Sequence, residues 1–428
     1  MKTNYDRLLQ AADRHRRYIS LIVPGETEDV VNVGEYGKIY HVAAKPAPIF
    51  DKRYRLMLPW HFLLEDSPIR KILLKEEPDI IEIYDNYALT YLAGMIRTGH
   101  FSQLKRPMLV YFTGERFDTI FQTFVVGGRF GKWFSKRLMG NYNLPMFDNY
   151  IANSDFVAAE LYESVREADN PGRSKWFFDK CRKVLNAATT PFEDRVAVCP
   201  RGVDTEFFTP NRRSAEARKE ICTAVNVPET AVLVLSSTRL SPEKNVELLP
   251  EIMGELLNDT KHDFRFLVAG AGPKEDWLRD ETLKRFPGKL VLLGHLEKDA
   301  LADHYANADV FVHPNPREPF GNVGLEAMAS GVAMVVPNSG GLTTYANESN
   351  AWNVPATAAA FAVAIRQSVS NPELKLKRTA EGVITANRYS QTAATDNLLE
   401  LYDRMYEDFV NSESALAGDE EAAVAPAV

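Results

Sequence analysis

Two glutamates eight positions apart mark the stretch where the sequence is best equipped for chemistry. Glu318 and Glu326 lie in the segment HPNPREPFGNVGLEAMASG, residues 313–331. The apolar run DVFVH leads into it, and an apolar helical pattern follows the first glutamate's loop. Because Pro319 follows Glu318 directly and Gly321 comes two residues later, we expect that carboxylate in a strand-to-helix loop. We expect Glu326 in the first turns of the helix.

The start of this helix suits a ligand that carries phosphate. In an open α/β sheet, ligands bind beyond the carboxyl ends of the strands, where the next helix presents unpaired N–H groups. We predict Asn322 as the N-cap and Gly321 as a point of close approach to the ligand. Carboxylates repel phosphate, so Glu318 and Glu326 should meet hydroxyls on either side of it. Glutamates at this spacing also occur on solvated helix faces, but the flanking strand and loop favour a functional role.

At these residues the sequence resembles the retaining GT-B glycosyltransferases often called family 4, whose signature is a Glu, seven residues and a second Glu, here EPFGNVGLE. The resemblance implies an α/β fold with two Rossmann-like domains facing across a cleft. It implies that Glu318 contacts the donor sugar and Glu326 the nucleotide ribose. The remaining donor-binding residues implied in this stretch are Phe320, Gly321, Asn322 and Val323.

A basic pair follows an apolar strand in AVLVLSSTRLSPEKN, with Arg239 and, five residues on, Lys244. Ser241 and Pro242 predict a helix start between them. Arginine supplies a planar fork and lysine a point charge, and both match a diphosphate whose charge grows as the sugar leaves. Such pairs are often surface decoration, but this placement agrees with the phosphate-binding residues of the resembling family. We therefore predict Arg239, Lys244 and Glu318 as the catalytic residues.

Three further residues are expected to meet the donor. Gly202 lies in the turn PRGVD, which is typical of members resembling GDP-mannose-dependent α-mannosyltransferases and sulfolipid synthases. The resemblance implies that it faces the donor, and a turn glycine with positive φ is the alternative. After the strand KLVLLGHL, the resemblance places the nucleotide base against His295 and Leu296. A surface histidine at a strand end is the alternative for His295.

Composition narrows the class of protein. The 428 residues are enough for two domains, and 45% hydrophobic with 25% charged residues is typical of a globular chain. The net charge of −8 gives no indication of nucleic-acid binding. Three cysteines, Cys181, Cys199 and Cys222, lack ligand spacing and predict reduced thiols. Reduced thiols indicate a cytoplasmic location. No Asp-x-Asp motif is present, so we expect neither a metal nor another cofactor.

Alternating strand and helix patterns predict parallel sheets with crossover helices. We predict an N-terminal acceptor domain at 1–200 and a nucleotide-sugar-binding domain at 201–390. A helix at 391–411 is expected to cross back to the first domain, and a disordered tail at 412–428. The chain begins in a helix at residues 3–17, so the first strand of the amino-terminal domain is predicted to be absent. Because that strand is central in a doubly wound sheet, we favour a truncated start. The alternatives are another segment that fills the gap and an impaired amino-terminal domain.

Residues 113–147 contain a basic, aromatic helix with Arg129, Lys132, Lys136 and Arg137 among aromatic residues. One interpretation is a peripheral contact with the anionic inner face of a membrane, and the other is a helix packed on its aromatic side. The basic aromatic stretch at 173–183 could extend the same surface. The resemblance implies a histidine in the segment 113–147 that holds the donor sugar or assists the acceptor hydroxyl. This chain has Thr113 at that position, and Glu115 or Asp118 are the candidates for the role of the histidine.

The function predicted from the sequence is retaining, metal-independent transfer of a hexose, with mannose favoured. The donor would be a nucleotide-diphosphate sugar, with GDP-mannose favoured, and the acceptor a lipid or glycan. Two alternatives stay open. One is a non-catalytic nucleotide-sugar-binding protein, which Thr113 and the missing strand favour, and the other is an enzyme that uses a UDP-sugar, such as a glycolipid synthase.

Overall fold

The computed structural model describes residues 2–46, 55–84, 88–173 and 175–424. The chain divides into two compact units. The first comprises Met1–Ala152, Ala158–Cys199 and Thr395–Val428, and the second comprises Asn153–Val157 and Pro200–Ala394. Among the described helices, none is both long enough and apolar enough to cross a bilayer.

The first unit contains short strands joined by helices. Its strands are β1 (Ile19–Gly25), β2 (Asp29–Val33), β3 (Gly37–Ala43), β4 (Ile80–Ile83), β5 (Met108–Thr113), β6 (Asn149–Ala152) and β7 (Val196–Val198). Its helices are α1 (Lys2–His15), α2 (Pro68–Glu76), α3 (Leu89–Arg97), α4 (Phe117–Phe124), α5 (Gly128–Leu138), α6 (Asp155–Ala168) and α7 (Lys175–Val184). The sequence pattern at residues 87–98 predicts a helix here, and Tyr87 lies outside the described residues.

The described strands of the first unit form two sheets. One has the order β1-β3-β2, with β1 parallel and β2 antiparallel to β3, and the other is the parallel sheet β4-β5-β6-β7. In the described part of the chain, β1 and β4 each lie at a sheet edge. The hairpin strand β2 was not predicted, because its sequence DVVNV is short and its residues are mostly exposed. The described chain starts with α1, as the sequence indicates.

The core of the first unit lies around β5, all of whose residues are buried. Val42 of β3 and Ile83 of β4 belong to one apolar cluster, so strands of both sheets share a core. On the other face, Leu401 and Met405 pack with Met108 and Val110 of β5. Strand β5, MLVYFT, is therefore a nearly continuous apolar run, as expected for a central strand of a parallel sheet that is covered on both faces.

The second unit is a parallel α/β layer structure. Its strands are β8 (Val232–Ser237), β9 (Phe264–Ala269), β10 (Leu290–Gly294), β11 (Val310–Val312), β12 (Ala333–Pro337) and β13 (Trp352–Val354). Its helices are α8 (Ala215–Ala224), α9 (Leu248–Leu256), α10 (Glu275–Arg285), α11 (Lys298–Asn307), α12 (Asn322–Ala329), α13 (Ala358–Ser370) and α14 (Pro372–Arg388), and α15 (Gln391–Val424) begins here.

The six strands of this sheet have the order β10-β9-β8-β11-β12-β13, and every pair is parallel. The chain runs outward from β8 to β10 on one side and from β11 to β13 on the other. The order therefore reverses between β8 and β11. In open α/β sheets the crevice at such a switch point is where ligands bind.

The last helix corrects the predicted tail. We expected disorder from residue 412, but α15 continues through Val424, and residues 425–428 lie outside the described part. The segment is rich in alanine and glutamate, which favour helix and outweigh its low apolar content. From Thr395 onward, α15 belongs to the first unit.

Candidate active site

Glu318 lies in the loop between β11 and α12, as predicted, and its carboxylate receives hydrogen bonds from three side chains. Lys244 Nζ lies 2.9 and 3.0 Å from its two oxygens. His313 Nε2 and Asn315 Nδ2 lie 2.9 and 3.0 Å from Oε2. Because β8 and β11 are neighbours, the loops that follow them meet, and this brings the predicted residues Lys244 and Glu318 into contact.

These contacts fix the ionisation of Glu318. Burial of the side chain, which is 7% exposed, opposes a negative charge. Hydrogen bonds from His313 and Lys244, together with the positive charge of Lys244, outweigh it, so the pKa of Glu318 is held well below its usual range. Glu318 is therefore a carboxylate at any working pH and acts as a hydrogen-bond acceptor, the role expected of a group that meets sugar hydroxyls.

The backbone of the Glu318 loop is held by a glycine turn after β12. The N–H of Gly341 donates to the carbonyl of Glu318 at 2.6 Å. Gly340 has a φ of 82°, and a Cβ on Gly341 would lie 1.8 Å from the carbonyl oxygen of Pro319. The two loops thus touch through their main chains, which only glycine permits at this distance.

Lys244 occupies a shorter element than predicted. The segment Pro242–Lys244 is a 3₁₀ turn, and α9 begins only at Leu248. Asn245 ends the turn with a φ of 54°, and its side chain donates to the carbonyl of Pro314 at 2.9 Å. Asparagine adopts this left-handed conformation more readily than most residues, which stops the helix after one turn. The same side chain ties the Lys244 loop to the segment that carries His313.

Arg239 lies on the same loop, and its side chain is exposed. Within the described residues its guanidinium has no hydrogen-bond or ion-pair partner. Its main chain is fixed by the glycine turn after β9. A Cβ on Gly270 would lie 1.9 Å from the Thr238 carbonyl oxygen, and one on Gly272 would lie 2.3 Å from that of Leu240. These two glycines therefore lie against the residues on either side of Arg239.

Glu326 is the fifth residue of α12, in the helix as predicted. The hydroxyl of Tyr305, a fully buried residue of α11, donates to its Oε2 at 3.2 Å. Desolvation raises the pKa of Glu326 to about 7, although Tyr305 and the charge of Lys298 oppose the shift. The ionisation of Glu326 therefore changes near neutral pH, in contrast to that of Glu318.

The start of α12 differs from the prediction in one respect. Gly321, with a φ of 80°, is the N-cap, and Asn322 is the first helical residue. A Cβ on Gly321 would meet Leu342 at 2.8 Å, so a close approach requires glycine there. The hydroxyl of Tyr345 donates to the Gly321 carbonyl. The first N–H groups of α12, from Asn322 and Val323, have no acceptor of their own within a helix and are available for an anion.

Phe320, Gly202 and the residues after β10 have distinct environments. The Phe320 side chain is buried and packs edge-on against Tyr345, with ring centroids 5.3 Å apart. The alternative of a positive φ at Gly202 is wrong: a Cβ there would lie 2.6 Å from the Cα of Gln391, so close packing requires the glycine. His295 is 77% exposed, with Nε2 3.8 Å from Glu297, and Leu296 is partly exposed. Among the described contacts, none joins these residues to Glu318.

The residues at the end of β5 in the first unit are largely occupied by one another. Thr113 is buried, and its hydroxyl donates to the Glu115 carbonyl at 2.9 Å. Asp118 is fully buried and pairs with Arg116 at 2.9 Å, so it is not free to replace the missing histidine. Glu115 is exposed and remains the other candidate.

The basic helix α5 fits neither of its two interpretations completely. Phe130 and Phe134 are 62% and 43% exposed, whereas Leu138 packs on the core. Three of its cations are engaged within the unit. Lys132 Nζ lies 4.0 Å from Asp118 Oδ2. Lys136 pairs with Glu163, and Arg137 lies 5.4 Å from the ring centroid of Trp133. The second basic stretch forms α7, where Trp176 is 70% exposed.

Three residues of the site were not predicted. His313 and Asn315 lie five and three positions before Glu318. In the sequence, only their ability to donate a side-chain hydrogen bond indicates that they could contact this carboxylate. Tyr305 comes from another helix, and no local pattern connects it with Glu326.

Parts of this chain are similar to known proteins. Residues 217–383 match the family model described as Glycosyl transferases group 1. An uncharacterized glycosyltransferase of Methanocaldococcus jannaschii is 35% identical over 37% of this chain and 40% of its own length. A GDP-mannose-dependent alpha-(1-6)-phosphatidylinositol dimannoside mannosyltransferase of Mycobacterium tuberculosis is 26% identical over 89% of this chain and 86% of its own. The chain thus spans less than half of the first relative and most of the second.

Solved structures share the architecture. A glycosyltransferase from Rickettsia africae superposes with a TM-score of 0.67 at 17% identity, covering 94% of both chains. Anabaena HepE in complex with UDP and glucose superposes with a TM-score of 0.64 at 15% identity, covering 94% of this chain and 95% of its own. The chain therefore has the predicted GT-B fold, and its residues 217–383 match the glycosyl transferases group 1.

Proposed function

We propose that this protein is a retaining glycosyltransferase that moves a hexose from a nucleotide-diphosphate sugar to a lipid or glycan acceptor. The ion pair between Lys244 and Glu318 at the switch point of the second sheet carries the proposal. It places an acceptor for sugar hydroxyls beside a cation for phosphate. Arg239 is exposed on the same loop, and the N-terminus of α12 adjoins Glu318 in sequence.

In the proposed reaction, the acceptor hydroxyl attacks the face of the sugar that the diphosphate leaves, so the anomeric configuration is retained. Arg239, Lys244 and the first N–H groups of α12 stabilise the charge that grows on the diphosphate. A phosphate oxygen takes the acceptor's proton, so no protein nucleophile is needed. Because these groups supply positive charge at the diphosphate, the reaction is proposed to need neither a metal nor another cofactor.

The favoured donor is GDP-mannose. The support is the relative that matches most of the chain, which is named as a GDP-mannose-dependent mannosyltransferase. A UDP-sugar is the alternative, because a structural relative was solved with UDP and glucose. In either case we assign the ribose to Glu326, the sugar to Glu318 and the base to the region of His295 and Leu296, with Gly202, Phe320 and Gly321 in the surrounding wall.

A peripheral membrane contact through α5, on the cytoplasmic face, is proposed for delivery of a lipid acceptor. Its support is the exposure of Phe130 and Phe134 beside Arg129, which is also exposed. Exposed aromatic rings with nearby cations suit the interface of an anionic bilayer. Sedimentation with anionic vesicles at low salt should carry the chain down, and Phe130→Ser with Phe134→Ser should abolish it. Equal recovery of both proteins would count against the contact.

The function is tested by donor binding and transfer measured on the same preparation. GDP-mannose and a series of UDP-sugars are titrated by calorimetry, and nucleotide release is followed with lipid and oligosaccharide acceptors. We expect one donor to bind, to be consumed only with an acceptor, and to give a product of retained configuration by NMR. Donor binding with no release under any acceptor would instead select a non-catalytic binding protein, which Thr113, engaged with its own loop, would favour.

A further inference from the structure

His313 is the least exposed residue of the Glu318 cluster, at 1%. Its Nε2 is bonded to Glu318, and its Nδ1 is buried without a hydrogen-bond partner among the described residues. An imidazolium would leave a buried N–H without an acceptor there, which is costly. The neutral ring with hydrogen on Nε2 satisfies the geometry, so His313 acts on Glu318 as a donor that adds no charge.

The side-chain amide of Asn315 is also oriented to donate a hydrogen bond to Glu318. Its Oδ1 accepts the backbone N–H of Arg317 at 3.0 Å, which forces the amide nitrogen toward Glu318. Asn315 is 4% exposed, so its side chain cannot turn away into solvent. Two neutral donors therefore reach the same oxygen of Glu318 from the loop that follows β11.

Lys244 differs from both. It approaches from the other loop, its side chain is 22% exposed, and a flexible four-carbon stem carries its charge. A diphosphate bearing negative charge competes with Glu318 for this cation. When Lys244 turns to the diphosphate, Glu318 loses this lysine partner, and a buried carboxylate without partners would be both displaced and protonated.

We propose that His313 and Asn315 are positioning residues that keep Glu318 oriented as a hydrogen-bond acceptor for the donor sugar while Lys244 is drawn to the diphosphate. This inference rests on the proposed function. It predicts that the two residues matter for the sugar and for turnover, but not for the nucleoside diphosphate, which Glu318 does not bind.

The structure provides a substitution that removes one hydrogen bond alone. Because Nδ1 of His313 has no partner among the described residues, His313→Leu deletes only the bond to Glu318 and keeps the site filled. His313→Gln restores an amide donor. His262, which lies 3.3 Å from Asp259 before β9, is a matched histidine–carboxylate pair away from the site, and His262→Leu is the control.

Binding is measured first, because it does not depend on catalysis. Calorimetry should show that His313→Leu binds GDP or UDP as the wild type does, but binds the corresponding nucleotide sugar about 10-fold more weakly. His313→Gln and His262→Leu should bind both ligands within about 3-fold of the wild type. Equal loss for both ligands would indicate a general distortion and overturn the inference.

Turnover at saturating donor gives the second readout. His313→Leu should lower kcat by about 10–100-fold, with rescue by His313→Gln. Its kcat should also fall further as the pH is lowered, because Glu318 has lost a donor that favours its charged form, while the wild type stays level. The other titratable groups that act on or near this carboxyl are Lys244 and Tyr345. Neither is changed by the substitution.

Asn315→Asp sharpens the test, because it keeps the acceptor for Arg317 N–H but turns a carboxylate oxygen toward Glu318. We expect a larger loss of turnover than in His313→Leu, and melting temperatures separate this loss from unfolding. A wild type that binds no nucleotide sugar would overturn the proposed function. A wild type that binds and transfers normally, beside His313 variants that do the same, would overturn only the inference.

Discussion

Each unit of this protein places a cluster of buried carboxylates and cations just beyond the end of a parallel strand, yet the two clusters are arranged differently. In the first unit, Asp118 is paired with Arg116, and Glu160 accepts the backbone N–H groups of Phe117 and Asp118. In the second unit, Glu318 is held by one cation that a ligand can attract and by two neutral donors. In the first cluster the charged and polar groups are partners of one another, whereas in the second the charge of Lys244 can be attracted by a substrate.

The pKa shifts show the same difference. Burial, reinforced by the neighbouring Asp118, raises the pKa of Glu160 to about 8, despite two N–H groups and Arg116 nearby. For Glu318 burial acts in the same direction, but Lys244 and His313 reverse it. The negative charge of the neighbouring Asp118 disfavours ionisation of Glu160, whereas the donors around Glu318 keep it ionised. A cluster of charged residues at a strand end therefore indicates a binding site only when the partners of its side chains are known.

Breaking the first cluster should affect stability most strongly. Asp118→Asn leaves Arg116 buried with its main partner lost, and we expect unfolding to become easier by about 3–5 kcal/mol. Chemical denaturation measures this change. Asp169→Asn, which removes the exposed partner of Lys175, should change stability by less than about 1 kcal/mol. A folded Asp118→Asn protein of normal stability that no longer binds donor would reverse the roles assigned to the two clusters.

Breaking the second cluster should leave the fold and remove the chemistry. Glu318→Gln keeps the shape of the side chain but loses the charge that accepts sugar hydroxyls, and we expect kcat to fall by about 100–1,000-fold. Glu251→Gln, on the exposed side of α9, is the control. Turnover equal to that of the wild type would remove Glu318 from the mechanism.

Arg239 is an exposed cation whose guanidinium has no hydrogen-bond or ion-pair partner among the described residues, and the next test asks whether it binds phosphate. Arg239→Ala should weaken binding of a nucleoside diphosphate by about 10–100-fold, because a charge-assisted hydrogen bond is lost. Arg239→Lys should recover part of this loss, since it restores charge but not the planar fork. An unchanged dissociation constant in Arg239→Ala would mean that the exposed guanidinium is surface decoration after all.

The smallest expected effect concerns Glu326. Its pKa of about 7 means that it is protonated in the free protein below neutrality, and ribose hydroxyls require the ionised form. The KM for donor should therefore fall about 10-fold between pH 6 and pH 8, as the free protein loses this proton. Glu326→Gln should bind donor weakly at every pH. If it kept the wild-type pH dependence, another group would be responsible.

The parts of the site that depend on neighbours in sequence were predictable. The strand, the loop and the helix around Glu318 follow from local patterns, and so do the positions of Arg239 and Lys244 after β8. The N-cap was wrong, because Asn322 has the better capping side chain but the backbone requires a positive φ at Gly321. A capping preference cannot overcome a conformation set by contact with another loop.

The parts that depend on distant residues were not predictable. Tyr305 reaches Glu326 from a different helix, and Glu160 reaches the start of α4 from α6. Local periodicity contains no information about such pairs. The strand β2 was missed for a related reason, since its exposed residues pair with β3 through main-chain hydrogen bonds rather than by apolar burial.

The glycine turns after β9 and β12 have a consequence for altering donor choice. Side chains added at Gly270 or Gly341 would collide with carbonyl oxygens of the loops that carry Arg239 and Glu318. Substitution libraries aimed at a new nucleotide or sugar should therefore leave these glycines constant and vary the exposed positions after β10, such as His295. Variation there leaves the spacing of the two loops intact, so most library members should retain a folded site and differ only in what they accept.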